Sequence, residues 1–338
     1  MKNTKFKNAL FINYGGIGDE ILFLPAIEGF KKQYPDSKIT LCLEPRAKGI
    51  KTLSPFIDDV ISVDIKAGGI KKYINILKLI VFLWTKKFDI VISSGKSPFV
   101  SVILFLSFIK IKAGYKTKTS KLLNYEIPLN ENCYAGRMYF DLVRPFVDFE
   151  FELPGLNYDK NFMLPSGVKE KEFILIHPGV SLMSVKKNIF KCPKGSFWIE
   201  LIKELLNKKE TVLLAGGPDD KNITDEIIKD EFIKNHKNFY LMFGKTKNLY
   251  EMSGLIKKSK KMICADSAPL HIGVALGVDI IALFGPTNEK KLVPEKENII
   301  KVTKNLNCRP CLWDKRLTNC ESSECIGFLP EDVLNYMK

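Results

Sequence analysis

Two short segments have the residue types and spacing of a site that handles anionic, oxygen-rich ligands. The first is Tyr14-Gly15-Gly16-Ile17-Gly18-Asp19, directly after the apolar run Ala9–Tyr14. Glycines after a strand let the backbone turn tightly and leave free amides at a helix start. Asp19 then falls in the first helical turn, where a carboxylate is stabilised as the anion. It reads either as a capping acid or as a general base. A dinucleotide-binding fingerprint competes for the same glycines, with Glu44 standing where a ribose-binding acid would be. Its spacing fails, because the third glycine would have to occupy Ile21.

The second segment is Ala265-Asp266-Ser267-Ala268-Pro269-Leu270-His271, a strand end that opens a helix. Small residues, a hydroxyl and helix-start amides suit a diphosphate, and Pro269 is well placed for a first helical turn. Ser267 also reads as a plain N-cap, and His271, one turn in, reads as structural. Phe284-Gly285-Pro286-Thr287-Asn288 turns toward the same edge after the next strand. Lys186, Lys187 and Lys191 lie between His177-Pro178-Gly179 and Trp198. Loop lysines are usually just solvated, but beside a phosphate site one of them could neutralise a departing diphosphate.

The elements that must position these residues alternate between strand and helix. Strand patterns cover Ala9–Tyr14, Lys38–Glu44, Val60–Asp64 and Phe88–Ser93; helical ones cover Asp19–Tyr34, Ile70–Lys87 and Pro98–Ile109. Between Phe149 and Glu172 the pattern dissolves into Pro, Gly, Asn and charge, as an interdomain connection does. Alternation then restarts with strands at Phe173–His177, Thr211–Ala215, Lys261–Ala265 and Asp279–Phe284 and a helix at Phe197–Asn207. Two α/β units of this kind carry parallel sheets covered on both faces, and a cleft between them is the expected place for the glycine turns.

Composition excludes several classes. The 338 residues are 46% hydrophobic and 27% charged, the balance of a globular chain of about two domains. No signal peptide is read at the start. The apolar runs Ile74–Trp84 and Pro98–Ile109 are too short to span a bilayer; they read as buried helices, or as a surface that lies against a membrane. The net charge of +14 comes mostly from lysine, read as spread along the whole chain. No basic stretch interleaved with aromatics points to nucleic acid; anionic nucleotides, phosphorylated glycolipids or an acidic leaflet fit better.

In order and spacing the chain resembles glycosyltransferase family 9, the heptosyltransferase-like enzymes of lipopolysaccharide core assembly. The resemblance runs through Gly15–Asp19 with Leu24-Pro25-Ala26, Leu43-Glu44-Pro45-Arg46, Phe88-Asp89-Ile90-Val91-Ile92 and Ala113-Gly114-Tyr115. It continues through His177-Pro178-Gly179, Asp266–His271 and Phe284–Thr287. It implies a GT-B fold: α/β, two Rossmann-like parallel-sheet domains facing a cleft. Residues 1–160 would form the acceptor-binding domain. Residues 172–338 would bind the nucleotide-sugar donor and include a Cys-rich segment at 308–325, with the final stretch packing back across the cleft.

The implied activity is inverting, metal-independent transfer of a sugar, heptose from ADP-heptose being the family's best-known donor, onto a lipopolysaccharide-core or related glycan. Asp19 matches the base, with Gly15, Gly16 and Gly18 in the acceptor-side loop. Ser267, Ala268 and Pro269 match the helix start under the diphosphate, Asp266 an acid near the donor sugar, Asp220 a ribose carboxylate, and Thr287 the neighbouring turn. The phosphate-binding lysine is Lys191 by its spacing to Trp198 and Lys186 by its spacing to His177. No cofactor is required beyond the donor. The expected location is cytoplasmic, peripheral at the inner leaflet. Three alternatives remain: another nucleotide sugar, a GT-B protein that binds without transferring, and an NAD-dependent oxidoreductase.

Cys308, Cys311, Cys320 and Cys325 form a C-x2-C-x8-C-x4-C cluster. Four thiolates in a compact loop are a candidate structural zinc site, although the second pair departs from the usual two-residue spacing.

Overall fold

The computed structural model describes residues 5–186, 189–312, 320 and 323–337. The chain divides into two compact units after Asn157, inside the segment where the sequence pattern dissolves. The first unit runs β1 (Asn8–Ile12), α1 (Ile17–Gln33), β2 (Lys38–Leu43), β3 (Asp59–Ser62), α2 (Ile70–Thr85) and β4 (Ile90–Ser93). It ends with α3 (Pro98–Leu106), β5 (Ile111–Tyr115), β6 (Tyr125–Ile127) and α4 (Ala135–Phe140). All six strands are parallel, in the order β3-β2-β1-β4-β5-β6.

A strand buried on both faces must be apolar at every position, and β1 shows why the run Ala9-Leu10-Phe11-Ile12 is continuous. Leu10 and Ile12 pack with Leu79, Leu83 and Leu104 on one face. Phe11 meets Phe23 and Phe30 of α1 at ring-centroid distances of 6.0 and 5.4 Å. Burying each such side chain contributes about 1.5–3 kcal/mol, so the strand beneath the glycine turn is firmly placed. Helix α4 presses against α1 at Gly29, where an added Cβ would lie 2.7 Å from the Phe140 ring.

The second unit contains β7 (Phe173–His177), α5 (Leu182–Lys186), α6 (Gly195–Asn207), β8 (Thr211–Leu214), α7 (Lys221–Ile227), α8 (Glu231–Asn235) and β9 (Phe239–Leu241). It continues with α9 (Leu249–Lys258), β10 (Lys261–Ala265), α10 (Ala268–Leu276), β11 (Ile280–Phe284), α11 (Glu289–Leu292), β12 (Ile299–Thr303) and α12 (Glu331–Leu334). Its six parallel strands are ordered β12-β11-β10-β7-β8-β9, the same doubly wound topology. Among the described residues of the final segment, Cys325, Ile326, Phe328 and Val333 join Trp198, Leu201 and Ile263 in the core of this unit.

In each sheet the direction of winding reverses at the central strand pair, β1/β4 in the first unit and β7/β10 in the second. A crevice opens outside the carboxyl ends of the strands at such a switch point. Both chemistry-bearing segments of the sequence follow one of these central strands.

Candidate functional site

In the first unit the turn after β1 is built around Asp19. Gly16 caps α1 in an extended conformation, and its N–H donates to Asp19 Oδ2 at 2.8 Å. The capping role is therefore realised, while the carboxylate remains partly exposed. Gly15 is required by close approach, since a Cβ there would lie 2.2 Å from Asp19 Cβ. Behind the turn, Asn13 is buried and donates to Asp19 O at 3.4 Å, and its own Oδ1 takes the Ser94 hydroxyl from the end of β4.

Three further charged residues, Glu44, Arg46 and Lys66, surround this turn. Glu44 is buried and accepts Arg46 Nε at 2.9 Å and pairs also with Lys66. The Arg46 guanidinium lies close over Gly16, with Nη2 3.6 Å from where a Cβ would stand. Lys66 reaches Tyr14 O at 3.0 Å. The Leu43–Arg46 segment carried a family pattern, but nothing in the sequence linked Lys66, 52 residues from Tyr14, to it.

Glu20 is fully buried next to Asp19. Burial pushes its carboxyl well above the ordinary value of 4.5, against the pull of hydrogen bonds from Asn13 and the Gly15 amide. A group with a raised folded-state pKa contributes its stability below the unfolded value and loses it as pH rises through the folded one. Glu20→Gln keeps an acceptor for the Gly15 N–H and removes the ionisation. The variant is expected to melt above the wild type at mildly alkaline pH, with the difference closing as pH falls toward 4.5, in a calorimetric pH series.

In the second unit the segments after β7, β8, β10 and β11 come together. Asp266 is 3% exposed and accepts Lys191 Nζ and Thr287 Oγ1, each at 2.7 Å. Burial alone would raise its pKa, but the Lys191 ammonium, His271 and the Thr287 hydroxyl hold it below the ordinary carboxylate range. Ser267 is the extended N-cap of α10 with Pro269 in the first turn. Its hydroxyl makes no capping bond to the helix and sits 3.4 Å from Ala265 O, so the first-turn amides are not capped by it.

The sequence left two lysines open, and the structure separates them. Lys191 lies at the Asp266 carboxylate, while Lys186, at the end of α5, is exposed; Lys187 falls outside the described residues. Lys191 is held from both sides. The preceding carbonyl, Phe190 O, lies 2.7 Å from where a Gly285 Cβ would stand, and the following Cys192 thiol reaches Pro178 O at 3.0 Å. Gly285 therefore has to be glycine for the loop to close.

Asp220 is buried and turned inward. Gly217 N–H donates to its Oδ2 at 2.7 Å, and His177 Nε2 stands 3.6 Å from the same atom. Burial lowers the His177 pKa against the opposing pull of Asp220, so the imidazole is neutral at neutral pH. Gly179 leaves room for this carboxylate, since a Cβ there would lie 1.7 Å from Asp220 Oδ1. Asp220 thus fixes the geometry of the turns after β7 and β8.

The Cys-rich segment braces the turn after β11. Arg309 donates to Gly285 O, to Thr287 O and to Glu289, and Cys311 N–H donates to Pro286 O at 3.0 Å. Arg309 stands between Cys308 and Cys311 in the sequence, and neither its type nor its spacing marks it as the brace of a turn more than 20 residues away. Burial raises the Cys325 thiol to about 11, with Cys311, Cys320 and Cys308 adding to the effect. Among the described residues no three of His, Cys, Asp and Glu are grouped as a metal site.

Two Rossmann-like units with phosphate-suited turns at their switch points define a GT-B protein, and the comparisons place it within that class. The sequence model of glycosyltransferase family 9 (heptosyltransferase) matches residues 76–320. The chain belongs to glycosyltransferase family 9 and is a glycosyltransferase. It is 26% identical over 298 residues to lipopolysaccharide heptosyltransferase 3 of Escherichia coli, covering 84% of this chain and 85% of that one. In structure it is similar to E. coli ADP-heptose lps heptosyltransferase II, with a TM-score of 0.74 at 18% identity, covering 97% and 96% of the two chains. It also resembles E. coli heptosyltransferase WaaC with ADP-2-deoxy-2-fluoro heptose, with a TM-score of 0.68 at 17% identity over 87% and 92%.

Proposed function

We propose that the protein is an inverting, metal-independent glycosyltransferase that moves heptose from ADP-heptose to a lipopolysaccharide-core acceptor at a membrane surface. The observation that carries this reading is the Lys191–Asp266–Thr287 cluster beside the Ser267 start of α10. The helix-start amides and the Lys191 ammonium are the groups that would hold a diphosphate. Asp266 and Thr287 keep that ammonium in place. The relatives named for ADP-heptose and for lipopolysaccharide support the choice of donor and acceptor.

In the reaction, Asp19 takes the proton from the acceptor hydroxyl as its oxygen bonds to the anomeric carbon. The bond from that carbon to the diphosphate oxygen breaks, the configuration inverts, and ADP leaves with the electron pair. Lys191 and the α10 amides stabilise the charge that develops on the leaving group. Asp220 serves by holding the turn that meets the nucleotide.

A thermal-shift panel of ADP, UDP, GDP, CMP and NAD tests the donor. A ligand that binds only the folded protein, at a hundred times its Kd, stabilises it by about 2.7 kcal/mol. ADP is expected to raise the melting temperature most. A larger shift with another nucleoside diphosphate replaces the sugar donor, and a preference for NAD overturns the reading.

A further inference from the structure

The positive charge is concentrated rather than evenly spread, which corrects the reading from composition. Residues 65–125 hold twelve lysines against one acid, Asp89, a net +11 of the chain's +14. Of these lysines, Lys66 and Lys96 pair with Glu44 and Glu131 outside the stretch. Asp89 is used inside the fold, where its Oδ2 accepts the N–H groups of Lys7 and Asn8 at 2.6 and 2.8 Å. The same stretch contains α2 and α3, and both carry apolar surface that no described residue covers.

Helix α2 buries Ile76, Leu79, Ile80 and Leu83 against the sheet. Its opposite face should be polar in an ordinary surface helix. Instead it presents Ile70, Tyr73, Ile74, Leu77, Val81 and Trp84, with Ile70 77%, Leu77 60% and Trp84 53% exposed. Lys71 and Lys78 follow at the edge of this stripe by helical spacing. Trp84 joins the stripe to α3: its Nε1 donates to Leu106 O at 2.7 Å, and its ring packs on Phe108 at 6.1 Å between centroids. Phe105, Leu106 and Phe108 are all exposed and extend the surface.

We propose that this two-helix face docks the protein on an anionic lipid bilayer. Its apolar side chains enter the headgroup–acyl boundary while Lys71 and Lys78 at its edge meet lipid phosphates. Charge selects this occupant. A second copy seated on the same face would bring two strongly cationic surfaces together, and like-charge juxtaposition opposes association. A nucleic acid would satisfy the lysines but leave Leu77, Val81 and Ile70 without apolar partners. Among the described residues no helix is long and apolar enough to cross a membrane, so α2 would lie in the plane of the interface.

The docking face is tied to the Asp19 turn within its own unit. Lys66, in the loop that enters α2, donates to Tyr14 O at 3.0 Å and pairs with Glu44. Seating α2 on a bilayer therefore sets the height of the Gly15–Asp19 turn above it. The use of such docking rests on the glycolipid acceptor proposed above; the binding itself does not.

Co-sedimentation with vesicles tests the face without donor or acceptor. The wild type is expected to bind phosphatidylcholine vesicles that contain phosphatidylglycerol, and to bind pure phosphatidylcholine much less. Binding should weaken as salt rises. Lys71→Gln and Lys78→Gln should each lower affinity for the anionic vesicles about fivefold. Leu77→Asn/Val81→Asn should abolish sedimentation while circular dichroism and the melting temperature stay at wild-type values. If that double variant misfolds, the two lysine variants decide alone. No binding to anionic vesicles overturns the proposal, as does binding that the substitutions leave unchanged. A dimer in light scattering that Leu77→Asn/Val81→Asn dissociates would assign the face to a second copy and overturn it equally.

Discussion

Replacing Asp19 with asparagine is expected to lower sugar transfer by about 10²–10⁴-fold, the range for losing a general base, with little change in stability. The geometry separates these two consequences. Asp19 Oδ2 accepts the Gly16 N–H at 2.8 Å, and an asparagine side-chain carbonyl can accept the same bond. Asparagine cannot take up a proton from an acceptor hydroxyl near neutral pH. Its amide also lacks the negative charge that favours the helix start, a loss of only about 0.3–1 kcal/mol. Donor affinity, read as the ADP-induced thermal shift, should be unaffected, because no donor group in the proposal touches Asp19. A wild-type rate in Asp19→Asn would leave this carboxylate as a helix cap alone, whereas absence of transfer from the wild type itself would favour a GT-B protein that binds without transferring.

The interior of the fold was readable because central parallel strands must be apolar throughout. Phe173–His177 and Lys261–Ala265 were assigned to the residue as β7 and β10. The edge strands β6, β9 and β12 and the interior strand β5 carry no such mark: β6 and β9 have three residues each, Lys301 interrupts β12, and β5 contains Lys112 and Gly114. Helix α3 was extended to Ile109 on hydropathy alone. The chain leaves the helix at Leu106, Ser107 turns back on Leu104 O, and Phe108 adopts a φ of 55°. A run of apolar residues carries no mark of such a turn.

The site was legible where one segment contains it and obscure where distant segments meet. Gly15–Asp19 and Asp266–Pro269 each follow a strand and open a helix, so local chemistry identified them. The partner of Asp266 could not be read in the same way, because Lys191 and Lys186 differ only in how the loop after β7 folds. Phe190 against Gly285 and Cys192 against Pro178 decide between them. The inward turn of Asp220 likewise depends on His177, Gly179 and Gly217, two of them on another strand's turn. The Lys66–Glu44 contact has the same origin.

Lys191→Met is expected to destabilise the protein by about 3–5 kcal/mol at neutral pH, the cost of leaving one member of a buried ion pair without the other. Lys191 is 16% exposed at its side chain and Asp266 3%, so water cannot readily replace the ammonium. Thr287 would still donate its hydroxyl at 2.7 Å, which does not neutralise the charge. In the wild type the Asp266 carboxyl is held below its ordinary value, so its contribution is present above the unfolded value and is lost only as pH falls through the folded one. Without Lys191 the burial effect dominates and the sign reverses. Protonation then relieves the variant, and its deficit in urea denaturation should narrow as pH is lowered. Adding Asp266→Asn to Lys191→Met should recover part of the loss, since the remaining group is neutral and can still accept from Thr287. Coupling of this kind between contacting residues shows as non-additivity in the double-mutant cycle. The ADP-induced thermal shift should stay absent in the double variant even where stability returns. Recovered stability together with recovered ADP binding would mean that Lys191 braces Asp266 and does not hold the diphosphate.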